Sequence, residues 1–194
     1  MTQHDRPGET INPFASPPSS IAQVAIDTGE APLIADLRAL VGRNADYYLK
    51  KWAPLLQSAR NSAGANWAAF FLSGFWLPYR KMYKLALVFY AFIIGESIAE
   101  DVVFISILGQ PETPEWLNRV VGLVISIVCA AFGNQWYLSH AQRVISETRA
   151  EGLEGEALRE RLSKRGGTSL WASLGMFALF VLMLGLVFAF FDAV

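Results

Sequence analysis

Two stretches of this chain, residues 117–138 and 169–191, each run for more than twenty residues with almost no charge. A hydrocarbon core about 30 Å thick takes roughly 20 apolar helical residues to cross, so both stretches predict membrane-spanning helices. In lipid a helix is also how a segment satisfies its own backbone hydrogen bonds. Trp116, Trp136 and Trp171 stand at the ends of these stretches, where amphipathic indoles favour the headgroup region. A third span is expected over about residues 83–108, long enough but carrying Glu96, Glu100 and Asp101. The expected fold class is therefore all-α and membrane-embedded, with about three transmembrane helices.

The basic residues set an orientation. Of sixteen Lys and Arg, all but Arg119 fall in the segments before residue 85 or between residues 143 and 165, while residues 96–115 hold five acidic side chains and no basic one. Cytoplasmic loops retain Lys and Arg, and acidic residues have little say, so the N-terminus and the loop over 139–167 are expected in the cytoplasm and Val194 on the opposite side. Net charge is −1, which leaves nucleic-acid binding without an electrostatic footprint. The single cysteine, Cys129, lies in an apolar run, so neither a disulfide framework nor a thiolate metal site is available. The first twenty residues lack the apolar core of a cleaved secretory signal.

Residues 1–32 hold five prolines among small and polar residues, a composition that cannot offset its ordering entropy, and they read as a disordered tail. Asn12, Pro13 and Phe14 form a short motif in it that chance produces often. Over residues 33–64, Leu33, Leu37, Leu40, Val41, Tyr48, Trp52, Leu55 and Leu56 recur at helical spacing with basic residues between them, the pattern of a cytoplasmic amphipathic helix. Gly42 admits a break into two helices. Such a segment lies either on the lipid surface or against the protein's own cytoplasmic loop. That loop, residues 139–167, reads as one charged helix or a helical pair ended by Gly166 and Gly167, with Thr168 and Ser169 placed to cap the last span.

Residues 65–82 are different. The apolar part from Trp67 to Tyr79 is thirteen residues long, so a helix of it covers roughly 20 Å of a 30 Å core. Basic residues flank it on both sides, at Arg60 and at Arg80, Lys81 and Lys84. Both ends then belong on one side, and a re-entrant or interfacial hairpin turning near Ser73 and Gly74 meets both constraints. Trp67, Trp76 and Tyr79 are expected at headgroup level, with Arg80 and Lys81 reaching lipid phosphates. Small residues four apart mark two packing faces: Ala91, Gly95 and Ala99 on the first span, and Gly122, Ser126, Ala130 and Asn134 on the second. Such faces let helix backbones approach and are expected to meet.

The ordered set Asn66, Trp67, Phe70, Phe71, Trp76, Tyr79, Arg80, Lys81 and Met82, with VGRNADYYLKKW before it and GNQWYLSHAQRVI after it, resembles a bacterial domain-of-unknown-function family of small integral membrane proteins. Its core reads approximately NWAAFFFGPFWLLYRKMY. The resemblance runs over about residues 41–140 and departs at Leu72, Ser73 and Gly74, where the family has Phe-Gly-Pro, and at Pro78, where it has Leu. It implies a multi-pass protein of the bacterial cytoplasmic membrane and carries no activity with it.

Chemistry is sparse. His4, His140 and Cys129 are separated from one another and from any carboxylate set with catalytic or metal-ligand spacing, so no catalytic residue, metal or cofactor is expected and the chain reads as a non-enzyme. Glu96, Glu100 and Asp101 are the one suggestive group, because ionisable residues at membrane depth are costly. They either line a polar path or mark the outer end of a short span, with VVFISIL beyond it lying along the surface. The resulting expectation is a non-catalytic membrane scaffold or partner-binding protein. Its partners would be the bilayer, anionic lipid headgroups, other membrane proteins or a second copy of itself, but not nucleic acid. The alternative is a small oligomeric transporter or channel using the acidic group.

Overall fold

The computed structural model describes residues 31–57, 59 and 62–192, and every regular element among them is helical. The tail over residues 1–30, with His4 and the Asn12–Phe14 motif, and the terminal Val194 lie outside the described residues. The elements are α1 (Ala31–Val41), α2 (Ala45–Leu56), α3 (Trp67–Leu72), α4 (Trp76–Tyr79), α5 (Tyr83–Asp101), α6 (Glu115–Arg149), α7 (Gly155–Arg165) and α8 (Leu170–Asp192).

α6 and α8 are long and apolar enough to cross a membrane, and only 17% and 6% of their most apolar windows are buried. A core helix of a soluble protein hides its apolar residues. These helices expose theirs, among them Val120, Leu123, Val124, Ile127, Leu182 and Leu186. α5 continues without interruption into a π-helical stretch, Val102–Ile107, so VVFISIL extends the helix rather than turning aside along a surface.

α1, α2, α7 and the last third of α6 form a helical cap at one end of these helices. Of the two arrangements open from sequence, one helix or a pair, the chain adopts the pair: Gly42 takes φ +72°, a left-handed conformation that glycine adopts at no steric cost. The apolar face of α1 and α2 is turned inward, with Leu37, Leu40, Tyr48 and Trp52 each at most 2% exposed. That face therefore packs on the protein itself and is not available to a lipid surface. α7 closes on α1 where the Gly167 N–H donates to the Leu40 carbonyl at 2.7 Å. A Cβ on Gly166 would sit 1.9 Å from that same oxygen. Asp36, 5% exposed, accepts from Arg149 Nη2 at 2.6 Å and from Nε at 2.9 Å, pinning α1 to the end of α6. Ser169 accepts from the Ala172 N–H at 3.3 Å and so caps α8.

Between cap and bundle lies a hairpin made of α3, a 3₁₀ turn at Ser73–Phe75, and α4. Its register against α6 shows the fold-back. Asn66 bonds to Asn134, Ser73 to Ser126, and the Trp76 ring lies 6.1 Å from that of Tyr137. Along α6 the chain thus goes from position 134 to 126 and returns to 137, an excursion of about 12 Å at 1.5 Å per residue. On the far side α8 grips the hairpin through Ser173 Oγ to the Phe75 carbonyl, 2.7 Å, and Ser169 N–H to the Tyr79 carbonyl, 3.0 Å. The exit is a left-handed Lys81, φ +59°, with the Met82 N–H closing on the Leu77 carbonyl at 3.0 Å, an arrangement that ends helices by satisfying their last carbonyls.

The hairpin overturns one expectation of packing. The small-residue face of α5 does not meet that of α6, because the hairpin packs against both helices and holds them apart. Ser126, Ala130 and Asn134 face the hairpin instead, while a Cβ on Gly122 or on Gly95 would meet nothing within 4 Å. Ala91, Gly95 and Ala99 are exposed.

Candidate functional site

The structural centre is the junction where the cap, the hairpin and α6 meet. Asn66 and Asn134 are 1% and 0% exposed, and a buried amide must find partners for both its donors and its acceptor. Asn66 Oδ1 accepts from the Ala69 N–H at 3.0 Å, capping α3. Its Nδ2 donates to Asn134 Oδ1 at 3.0 Å. Asn134 Nδ2 in turn donates to the Gly64 carbonyl at 3.0 Å, and the Asn134 carbonyl accepts from Trp52 Nε1 of the cap at 2.9 Å. The Asn66 N–H completes the set by donating to the Ala130 carbonyl at 2.8 Å. Approach this close requires Gly133, where a Cβ would lie 3.0 Å from that of Ala69. The two asparagines and the tryptophan therefore bind three parts of the chain at one point.

One turn further along α6 is an aromatic cage around a cation. Arg80 is 5% exposed, and its Cζ lies 4.6 Å from the ring centroid of Tyr48, 5.1 Å from Tyr137 and 5.7 Å from Tyr79. Nη2 donates to Tyr48 Oη at 3.0 Å, while Nε, Nη1 and the Tyr137 hydroxyl have no partner among the described residues. No carboxylate faces the guanidinium among the described ion pairs. The electron-rich ring faces supply its stabilisation. Burial pushes the Tyr48 phenol above its usual pKa, with the Arg80 charge opposing.

Arg80 was expected at lipid phosphates and is instead an internal cation; Trp76, 2% exposed, was expected at headgroup level and is instead core. The reason is the fold-back, which turns α4 into the space between α6 and the cap. Met82 is buried as well. Of the remaining signature residues, Trp67 and Phe71 are 63% and 77% exposed, and Phe70, Tyr79 and Lys81 are half-buried. Sequence reasoning missed Tyr48, Trp52 and Tyr137 as partners of the signature. The available signal was the four-residue spacing of Tyr48 and Trp52, which puts two aromatics on one helix face.

Two cavities flank the hairpin. One, of about 560 Å³, lies beyond its turn between α5, α6 and α8, with Phe89, Tyr90, Phe177 and Phe180 among its walls and Glu96, Ser97, Asn118 and Ser126 as polar points. Glu96 thus reaches a cavity, but Asp101 does not join it: its carboxylate accepts from Thr113 Oγ1 at 3.0 Å and holds the loop before α6. Glu100 is absent from the lining too. The other cavity, about 460 Å³, opens between the start of α5 and the cap end of α6 and is lined by Lys81, Lys84, Leu85, Val88, Trp136, His140 and Arg143, among others. Among the described residues no group of three or more His, Cys, Asp or Glu is placed to hold a metal.

No curated protein and no solved structure matches this chain. A family model does, over residues 36–143, a span that holds the second half of α1, all of α2, the hairpin, α5 and most of α6. The chain belongs to the family described as "Protein of unknown function (DUF2628)".

Proposed function

We propose that this protein is a multi-pass integral membrane protein of the bacterial inner membrane that acts without catalysis, as a scaffold holding a helical platform against the cytoplasmic face. Three spans are assigned, over α5 with its π-helical extension, α6 and α8. Trp116 and Trp136 on α6 are twenty residues apart, about 30 Å at 1.5 Å per residue, which matches a hydrocarbon core. The cap carries most of the Lys and Arg, which favours the cytoplasm for it. On this assignment the hairpin is re-entrant, entering and leaving from the cap side.

The observation that carries the scaffold reading is the junction itself. Trp52, Asn66, Asn134 and caged Arg80 fasten the cap to the membrane helices through buried polar bonds, so a force or partner acting on the cap is transmitted to the bundle. Lipid headgroups at the cap rim, and a second copy or another membrane protein along the open Ala91, Gly95 and Ala99 face, are the partners this arrangement suits.

A second reading, a small oligomeric transporter, draws on Glu96 in its cavity. Against it, Ser73, Gly74 and Phe75 of the hairpin form the cavity wall on the cap side, and Asp101 is turned away from it. Flux measurements on protein reconstituted into liposomes separate the two. The scaffold reading expects no cation or proton flux above protein-free vesicles, and no change on converting Glu96 and Glu100 to Gln. A flux abolished by the double substitution would overturn it.

A further inference from the structure

The cleft of about 460 Å³ between α5 and α6 joins two unlike surfaces. At one end Lys84 and Arg143 are exposed and paired with no carboxylate among the described residues. Half-buried His140 joins them in the lining on the α6 side. Lys81 adds a third cation, tethered by its bond to the Lys164 carbonyl at 3.1 Å, while Glu147 is the one carboxylate among the described lining residues. α5 begins here without a side-chain cap, so its free first-turn N–H groups add positive potential.

At the other end the walls are Leu85, Val88 and Trp136, and Val88 is 66% exposed. The order matters. Lys81 just before α5 and Lys84 in its first turn come first along the chain and the apolar wall at 85 and 88 follows, in the direction in which the helix enters the apolar bundle. A free phosphate would leave the apolar wall unused, and an apolar helix laid in the cleft would bury unpaired cations at high cost. An amphiphile with an anionic head and a hydrocarbon tail meets both surfaces.

We infer that this cleft binds one anionic glycerophospholipid, its phosphate between Lys84 and Arg143 and one acyl chain along Leu85, Val88 and Trp136. The inference rests on the membrane reading above and adds a defined site to it. Basic pockets between membrane helices on the cytoplasmic side recognise anionic headgroups through this combination of charge and apolar wall.

The test is native mass spectrometry of the 194-residue chain, delipidated in neutral detergent and titrated with phosphatidylglycerol, phosphatidylcholine or glycerol phosphate. One phosphatidylglycerol per chain is expected to bind, with phosphatidylcholine and glycerol phosphate much weaker. Converting both Lys84 and Arg143 to Gln should weaken phosphatidylglycerol about 30-fold, from two surface cations lost. Glu147→Gln should tighten it several-fold, a gain that misfolding cannot imitate. Equal binding of phosphatidylcholine, glycerol phosphate binding as tightly as the lipid, or an unaffected double variant would each overturn the site. Flotation with neutral phosphatidylcholine vesicles separates this failure from a deeper one. A protein that floats but lacks the lipid preference refutes the site alone, whereas a protein that does not float refutes the membrane reading and the site with it.

Discussion

Replacing Asn66 by Ala removes two things at once. The first is the cap on α3, where the side-chain oxygen accepts from the Ala69 N–H; losing a cap of this kind costs typically about 1 kcal/mol. The second is the sole partner of Asn134 Oδ1 among the described residues, and that oxygen stays fully buried and unsatisfied at a cost of about 1–3 kcal/mol. The sum is about 2–4 kcal/mol, a large share of the stability of a small domain. Asn66→Ser separates the two contributions: serine can still cap α3 but is too short to reach Asn134, so it should recover about 1 kcal/mol relative to alanine. A double-mutant cycle with Asn134→Ala should show a coupling of about 1–2 kcal/mol between the two amides. Reversible unfolding in mixed micelles, followed by ellipticity, gives all four values. The reasoning fails if Asn66→Ala costs less than about 0.5 kcal/mol, the range of surface substitutions away from special features, or if the cycle shows no coupling.

Two further outcomes follow from the cap. Gly166→Ala would drive a methyl group into the Leu40 carbonyl, so α7 must shift away from α1; amide exchange should rise in α1 and α7 with little change in α8, and uniform protection would contradict the packing. Burial, helped by Arg143 and opposed by Glu147, holds His140 below its usual pKa of 6.5. The unfolded chain then binds the proton first, so this contribution is whole above about pH 6.5 and is lost as pH falls from there through the lowered native value. Stability in neutral detergent should decline over that window, and His140→Gln should flatten the decline; an identical slope in the variant would refute it.

What the sequence revealed and concealed has physical reasons. α6 and α8 were legible because a long uncharged run has few alternatives, and the break at Gly42 was legible because glycine is the residue suited to a left-handed turn. The thirteen-residue segment announced a fold-back through length and flanking charge. The fate of Arg80 was not legible: flanking cations look alike in a sequence, and only the return path of the hairpin decides which one enters the cap and which, like Lys84, faces out. Asn66 stands in the signature, but in the sequence its partner Asn134 looks like one of a row of small packing residues. Nothing in the spacing of two asparagines 68 residues apart indicates a hydrogen bond. The mispairing of α5 with α6 has the same origin, since small-residue faces specify that a backbone can approach and not which one.

The central claim is that the hairpin enters and leaves from the side that carries the cap, while the loop before α6 lies on the other side. Single cysteines placed at Ser62, Lys84, Glu112 and Glu154 in a Cys129→Ser background, labelled with an impermeant maleimide in sealed vesicles of known orientation, test it directly. The account predicts that positions 62, 84 and 154 react from the cytoplasmic face and position 112 from the opposite face only. Labelling of positions 62 and 84 from opposite faces would mean that the short segment crosses the membrane, and would contradict the account.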